Sequence, residues 1–347
     1  MDGQRRQLDM ANEKFKNACE RIPQKTPPVW MMRQAGRYHQ HYQALRKEHS
    51  FMELCKQPKL AAEVALGPVA EFDFDVSILF SDLLFPLEAL GLGLKYDPAP
   101  ELDWHLLERS DFDKMRPVDE AFEYLKFQGE AVTETRKVLP DNKSLIGFVG
   151  SPWTLFVYAV AGSHKGNLIE VKKRMNLFPI FCEMIAPLME KNIELQLNAG
   201  AEKVMVFDTA AGELWAEDFI EHLHLYLIGL SSKFPGQLGY YSKNTNHYHL
   251  SDLWDKSQFA GFGYDHRWSL NQQFKKGKGF VQGNFDQSML FLPQNEFETY
   301  LRGYLETFTE MSESARAGWV CGLGHGVLPK TPEVNVKRFV EIVRETF

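Results

Sequence analysis

The stretch Pro27-Pro28-Val29-Trp30-Met31-Met32-Arg33-Gln34-Ala35-Gly36-Arg37-Tyr38 decides how the rest of the chain is read. Paired prolines are poorly tolerated inside helices and central strands, so they mark the start of an element. The apolar run 29–32 behind them shows no polar alternation and reads as a strand buried on both faces, the pattern of parallel sheets. It stops abruptly at Arg33, Gln34 and Arg37, with Gly36 as punctuation. Residues just past a strand's carboxyl end lie where parallel α/β folds bind ligands. Guanidinium offers rigid paired donors and stays charged at any working pH, so Arg33 and Arg37 form a fork for carboxylate or phosphate.

The same punctuation recurs down the chain. Strands are predicted at 76–80, 145–149, 204–207, 238–242, 259–264, 280–282 and 319–323. They end in Ser81-Asp82, Gly150-Ser151-Pro152-Trp153-Thr154, Asp208-Thr209, a polar stretch over 243–249, Asp265-His266-Arg267-Trp268, Gly283-Asn284 and Gly324-His325-Gly326. Helical patterns fall between them at 58–72, 119–137, 168–198 (broken or kinked at Pro179 and Pro187) and 217–230. Thr331 and Pro332 predict an N-cap and N1 for a terminal helix. Residues 38–48 read as an aromatic-rich turn or helix. The segment 86–117 is irregular, with a short strand at 94–96 that Pro98 and Pro100 stop. Eight short strands separated by helices are the arithmetic of a (β/α)8 TIM barrel. No break divides the 347 residues, so the expectation is a single domain over 1–347, with 1–22 an N-terminal helical extension. A doubly wound sheet is the rival, but no Gly-rich phosphate fingerprint follows the first strand.

Composition narrows the function classes. A formal net charge of -7 argues against nucleic-acid coating and anionic membrane surfaces, yet allows an acidic ligand if the basic groups gather in one cleft. Cys19, Cys55, Cys182 and Cys321 are widely separated and form no CxxC, which fits reduced thiols and a cytoplasmic setting. The first residues lack the apolar core of a signal peptide, and no run approaches the ~20 residues that span a bilayer.

In a barrel the carboxyl-terminal loops converge on one mouth, so residues distant in sequence become neighbours. The strand ends would bring together Arg33, Gln34 and Arg37, then Asp82, Tyr158, Thr209 and His325. Each has an ordinary alternative: a turn cap for Asp82, a core aromatic for Tyr158, a local loop bond for Thr209, a surface turn for His325. His247-Tyr248-His249 lies in a polar stretch and lacks a matched second pair, so no metal site is expected. No serine sits in a nucleophile elbow and no cysteine is paired with a base. The inventory suggests general acid–base chemistry on an anionic substrate, without metal or covalent intermediate.

These residues also carry a family resemblance. The run 28–38 resembles the N-terminal signature of the uroporphyrinogen decarboxylase family. The likeness continues through Leu79-Phe80-Ser81-Asp82-Leu83-Leu84, Gly150-Ser151-Pro152-Trp153-Thr154-Leu155 with Tyr158, Gln282-Gly283-Asn284 and Gly322-Leu323-Gly324-His325-Gly326-Val327-Leu328-Pro329. It implies a homodimeric, cofactor-free (β/α)8 barrel that removes carbon dioxide from the four acetate side chains of uroporphyrinogen III, giving coproporphyrinogen III in heme biosynthesis. On that resemblance Arg33 and Arg37 would clamp substrate carboxylates, with Gln34 a neutral contact. Asp82 would meet the pyrrole N–H groups, Tyr158, Thr209 and His325 would orient carboxylates, and Arg33 is a candidate proton relay. The same resemblance implies Asp82, Arg33, Tyr158 and His325 as the catalytic set.

The chain departs from the family pattern at several points. His39-Gln40-His41-Tyr42 stands where Leu-Pro-Glu-Tyr is usual, Thr209 replaces a serine, 239–244 lacks the phenylalanine-and-glycine pattern, and His266-Arg267-Trp268 replaces a tighter Asp-Trp pairing. The alternatives are a paralogue that binds tetrapyrroles without turnover, and a corrinoid-linked zinc methyltransferase on the same barrel. The second holds zinc through His-x-Cys and a later Cys, whereas here His325 occupies the cysteine position, leaving His247, His249 and Cys321 as its remaining ligands.

Overall fold

The computed structural model describes residues 11–96 and 99–347. Its strands are β1 (Val76–Ile78), β2 (Lys95–Tyr96), β3 (Pro100–Glu101), β4 (Ser144–Gly150), β5 (Lys203–Asp208), β6 (Leu238–Ser242), β7 (Gly261–Gly263), β8 (Phe280–Phe285) and β9 (Trp319–Leu323). Seven of them form one sheet in the order β1-β4-β5-β6-β7-β8-β9, every neighbouring pair parallel. Strands β4, β5, β6 and β8 are buried along their whole length, as expected of staves packed on both faces.

The opening stretch supplies the eighth stave. Trp30 N–H donates to the Cys321 carbonyl at 3.0 Å, Cys321 N–H to that of Pro28 at 2.9 Å, and Val327 N–H to that of Met32 at 2.9 Å. On the other side Asp75 N–H donates to the Val29 carbonyl at 3.1 Å, and Val29 N–H to Asp75 Oδ2 at 2.8 Å. The ring from β1 to β9 is thereby closed into an α/β barrel. The stretch is not the regular strand its apolar run predicts: it makes a single bridge, Val29 to Cys321. Two prolines without N–H groups precede the bridge, and Arg33 turns left-handed (φ +57) soon after it, so a longer ladder has no room.

Helices cover the outside. Helix Pro58–Phe72 begins on its proline as expected and packs on helix Lys126–Val138. The predicted helix over 119–137 is two, Val118–Glu123 and Lys126–Val138. Pro179 stands in the first turn of helix Phe178–Asn198, which continues through Pro187, so neither proline ends it. Pro100 does not stop the strand at 95–96; it pairs with it in the β2–β3 hairpin. The stretch 243–249 is not all exposed loop, because Asn246 caps helix His247–Lys256 and His249 is buried in its first turn. The terminal helix is Glu333–Thr346, with Pro332 at the N-cap, and Thr331 Oγ1 donates back to Leu328 O at 2.8 Å. Of the expected 1–22 helix, Glu13–Glu20 is helical; residues 1–10 lie outside the described residues.

Close approach at the closing joint constrains β9. A Cβ on Gly322 would collide with the Trp30 carbonyl, a backbone atom that the bridge holds fixed. Gly322→Ala is therefore expected to destabilise the fold by roughly 3 kcal/mol or more. Thermal unfolding checks it, and an unchanged midpoint would mean the joint is not rigid.

Candidate active site

The carboxyl ends of the staves open into one cup, and Arg33 is the group that most of it shares. Its charge acts on Asp82 beyond β1, Tyr158 in the last turns of helix Pro152–Ala161, His164 in the following loop, Tyr241 on β6 and His325 beyond β9. Its aliphatic stem lies on Gly326, where a Cβ would collide with it. Asp82, Tyr158 and His325, up to 292 positions from Arg33 in the chain (325 minus 33), thus all lie within electrostatic reach of its guanidinium, and Tyr158 within that of Asp82.

Asp82 is half-buried, and its Oδ1 accepts the Leu84 N–H at 2.9 Å. Burial raises its proton affinity, opposed by the Tyr96 hydroxyl, the Leu84 N–H and the charge of Arg33. Tyr158 is half-buried, with its hydroxyl 2.9 Å from His164 Nδ1. Burial and Asp82 push its phenol up to about 12, so it meets a ligand protonated. His325 stacks on Tyr241 with rings 6.1 Å apart and 9° from parallel. Burial, then Arg33, Lys243 and two further histidines, push its imidazole down to about 3. It is neutral at physiological pH. Tyr241 donates its one hydroxyl proton to Gly324 O at 2.8 Å, which assigns the hydrogen in the 3.2 Å contact with His325 to Nδ1. That leaves His325 Nε2 as an uncommitted acceptor.

The other predicted residues stand differently. Gln34 is buried, and its side-chain amide donates to Val76 O at 3.1 Å, bracing the arginine loop on β1 rather than reaching into the cup. Arg37 is exposed at the loop's far end, its carbonyl held by Gln43 at 2.9 Å. Thr209 is half-exposed past β5, without a hydrogen bond among the described residues.

Residues that sequence reasoning passed over complete the cup. Lys243 directly follows β6 and acts on both His164 and His325. None of Arg33, Lys165 and Lys243 has a carboxylate partner among the described residues, so these cations gather around His164 despite the net charge of -7, whereas Arg37 stands apart. Lys243 and Asp208 were legible as literal strand ends. Tyr96 and His164 come from a hairpin and a loop, and no strand-end signal marks them.

Asp208 is fully buried and accepts from Ser151 Oγ at 2.8 Å, Thr154 Oγ1 at 2.8 Å and Tyr240 Oη at 3.0 Å. Trp153 Nε1–H meanwhile donates to Ala210 O at 2.9 Å. Together these bonds pin the helix that carries Tyr158 to the exit of β5. Desolvation pushes Asp208 up to about 6 despite its hydroxyl donors.

Among the described residues, His39, Glu71 and Glu333 bring ligand-type atoms within 4.8 Å of one another. Each already has a protein partner: His39 Nε2 lies 2.7 Å from Glu71 Oε2, and Glu333 Oε1 accepts the Gln40 N–H at 2.5 Å. The departure at His39 is thus absorbed as a buried imidazole between Tyr38, Phe72 and Glu71, and needs no ion. His247, His249 and Cys321 form no such set: His249 Nε2 is spent on Leu214 O at 3.1 Å, and Cys321 is buried in β9.

The mouth of this closed parallel barrel thus combines cations without a carboxylate partner among the described residues, a half-buried acid, a phenol and imidazoles. The family model for uroporphyrinogen decarboxylase (URO-D) matches residues 10–346, and the chain belongs to that family. Relatives named uroporphyrinogen decarboxylase include one from Solibacter usitatus, 32 % identical over 96 % of this chain and 97 % of its own. Another, from Syntrophotalea carbinolica, is 36 % identical over 95 % of this chain and 96 % of its own. Among solved structures, a methyltransferase from Methanosarcina mazei superposes with a TM-score of 0.74 at 18 % identity, covering 97 % of this chain and 98 % of that one; this likeness concerns the fold alone.

The raised proton affinity of Asp208 has a signed consequence. The folded acid holds its proton up to about pH 6, whereas the unfolded one releases it near the ordinary aspartate value of 3.8. Its contribution therefore declines as pH rises through that window. Asp208→Asn, neutral throughout, is expected to flatten the decline. Denaturant unfolding of both proteins across the window checks this, and parallel stability profiles would place the titration elsewhere.

Proposed function

We propose that this protein decarboxylates the four acetate side chains of uroporphyrinogen III to coproporphyrinogen III, using its own side chains alone. The observation that carries the reading is the shared space around Arg33, where unpaired cations face a lone half-buried carboxylate. The substrate's many carboxylates match the cations, and its pyrrole N–H groups match the acid. Arg33 and Arg37 take substrate carboxylates by charge-assisted hydrogen bonds, with Thr209 offering a hydroxyl at the rim. Tyr158 donates from a phenol that stays protonated. His325 accepts through Nε2.

Loss of carbon dioxide breaks the bond between the acetate methylene and its carboxylate, and the electron pair left behind must enter an electron-poor ring. Protonating the pyrrole makes the ring electron-poor, at the expense of a positive charge on it. Asp82 faces that charge as a partly desolvated anion, held in place before the reaction begins, and so stabilises the cation without reorganising. The methylene then takes up a proton to become a methyl group. The ring gives back the proton it first received, so each carboxylate is replaced by one hydrogen and the pyrrole is restored.

A homodimer is the assembly that the resemblance implies. Trp215, at the N-cap of helix Ala216–Lys233, and Tyr248, in the first turn of helix His247–Lys256, are 68 % and 62 % exposed and offer apolar surface to a second copy. The unpaired cysteines suit a reducing cytoplasm.

Anaerobic incubation with uroporphyrinogen III should release carbon dioxide and yield coproporphyrinogen III. Binding without release would make the protein a tetrapyrrole carrier. Asp82→Asn is expected to lower kcat by about 100-fold or more while circular dichroism and melting temperature stay near those of the parent. Unchanged kinetics would remove Asp82 from the mechanism.

A further inference from the structure

Beyond helix Pro152–Ala161 the chain reverses at Gly162 (φ +68) and returns His164 to Tyr158. His164 Nδ1 lies 2.9 Å from Tyr158 Oη, and the rings meet edge-on at 5.5 Å between centroids. The charged groups acting on His164 are Lys243 beyond β6, Arg33 and its neighbour Lys165, all cations. The His325 imidazole is also within electrostatic range of His164, and Asp82 acts on the Tyr158 phenol. Burial and these cations lower the proton affinity of His164 and so favour its neutral form. A neutral Nδ1 can accept the phenol proton, and a Tyr158 hydroxyl spent on His164 cannot donate to a substrate.

A polyanion reverses the balance. Carboxylates that pair with Arg33 and Lys243 cancel the charges that disfavour imidazolium and add negative charge of their own. An imidazolium carries hydrogen on both nitrogens, so Nδ1 can only donate, and the phenol proton becomes free.

We propose that His164 is a proton-linked positioning residue of the tetrapyrrole site: as the polyanion binds it takes a proton from solvent, donates Nδ1–H to Tyr158 Oη, and turns the Tyr158 hydroxyl toward a substrate carboxylate. This rests on the reading of the cup as a tetrapyrrole site. It makes ligand affinity depend on pH through a residue that touches Tyr158 rather than the reacting carbon.

The test is calorimetric binding of coproporphyrinogen III, kept reduced, in phosphate and in Tris at about pH 7.5, where a neutral imidazole has a proton to gain. The dependence of the observed heat on buffer ionisation gives the protons taken up. The parent protein is expected to take up as much as about one proton more per tetrapyrrole than His164→Gln, which can hydrogen-bond Tyr158 but cannot titrate. For uroporphyrinogen III turnover, kcat/KM of the parent should fall by up to about tenfold per unit from about pH 6 to about pH 8, and that limb should be absent in His164→Gln. His164→Ser serves as the second non-titrating variant should glutamine lower the melting temperature. Equal proton uptake in parent and variant, or pH limbs of equal steepness, would overturn the proposal and leave the decarboxylase reading standing. A parent that neither binds nor turns over the tetrapyrrole would overturn both.

Discussion

The architecture depends on one short joint, where residues 28–32 are gripped between Asp75 and β9. Backbone bonds of 2.9–3.1 Å on its two sides, and the 2.8 Å bond from Val29 N–H to the Asp75 carboxylate, make an eighth stave from a stretch too short to be a strand. Asp75 also meets Lys14 Nζ at 2.8 Å, so the first described helix is tied to the same point. A sheet that failed to close here would expose two edges of unpaired N–H and C=O groups. Arg33, the centre of the cup's electrostatics, follows the joint directly. Closure of the fold and placement of the principal cation are therefore a single event.

Much of this was legible in the sequence because the controlling signals are local. Continuous apolar runs such as 145–149 and 319–323 fall on β4 and β9, and Pro58 opens its helix where proline at the first turn should. The list of strand ends brings Arg33, Asp82, Tyr158 and His325 to one space. What escaped was tertiary. Gln34 looks like its arginine neighbours in the sequence, yet the turn at Arg33 sends its amide to Val76 O. His249 reads as an exposed polar residue until an Asn246 cap and the Leu214 carbonyl bury it. Pro100 pairs because a two-residue strand at the molecule's periphery tolerates a missing donor.

Two acids near the mouth show how environment separates roles. Asp208 is wholly buried with three hydroxyl donors on its oxygens, and its work is to hold the Tyr158 helix against β5. Asp82 has one backbone donor, a nearby phenol and a distant guanidinium, and one face left open. Burial raises the proton affinity of both, but only Asp82 keeps lone pairs free for a ligand. A carboxylate that is fully satisfied is structure; one that is desolvated and only partly satisfied is available for chemistry.

The same reasoning extends to the cations. Burial together with Arg33 and Lys243 disfavours the charged forms of His325 and His164, so the positive charge here is that of the arginine and lysine side chains. A chain of net charge -7 thereby keeps a local positive field that attracts its substrate and repels ordinary cations. On the decarboxylase reading, each turnover removes one carboxylate from the ligand while Arg33 and Lys243 stay in place. Attraction is greatest for the fully carboxylated tetrapyrrole and declines with every carbon dioxide lost. The chemistry itself thereby weakens the grip on the product.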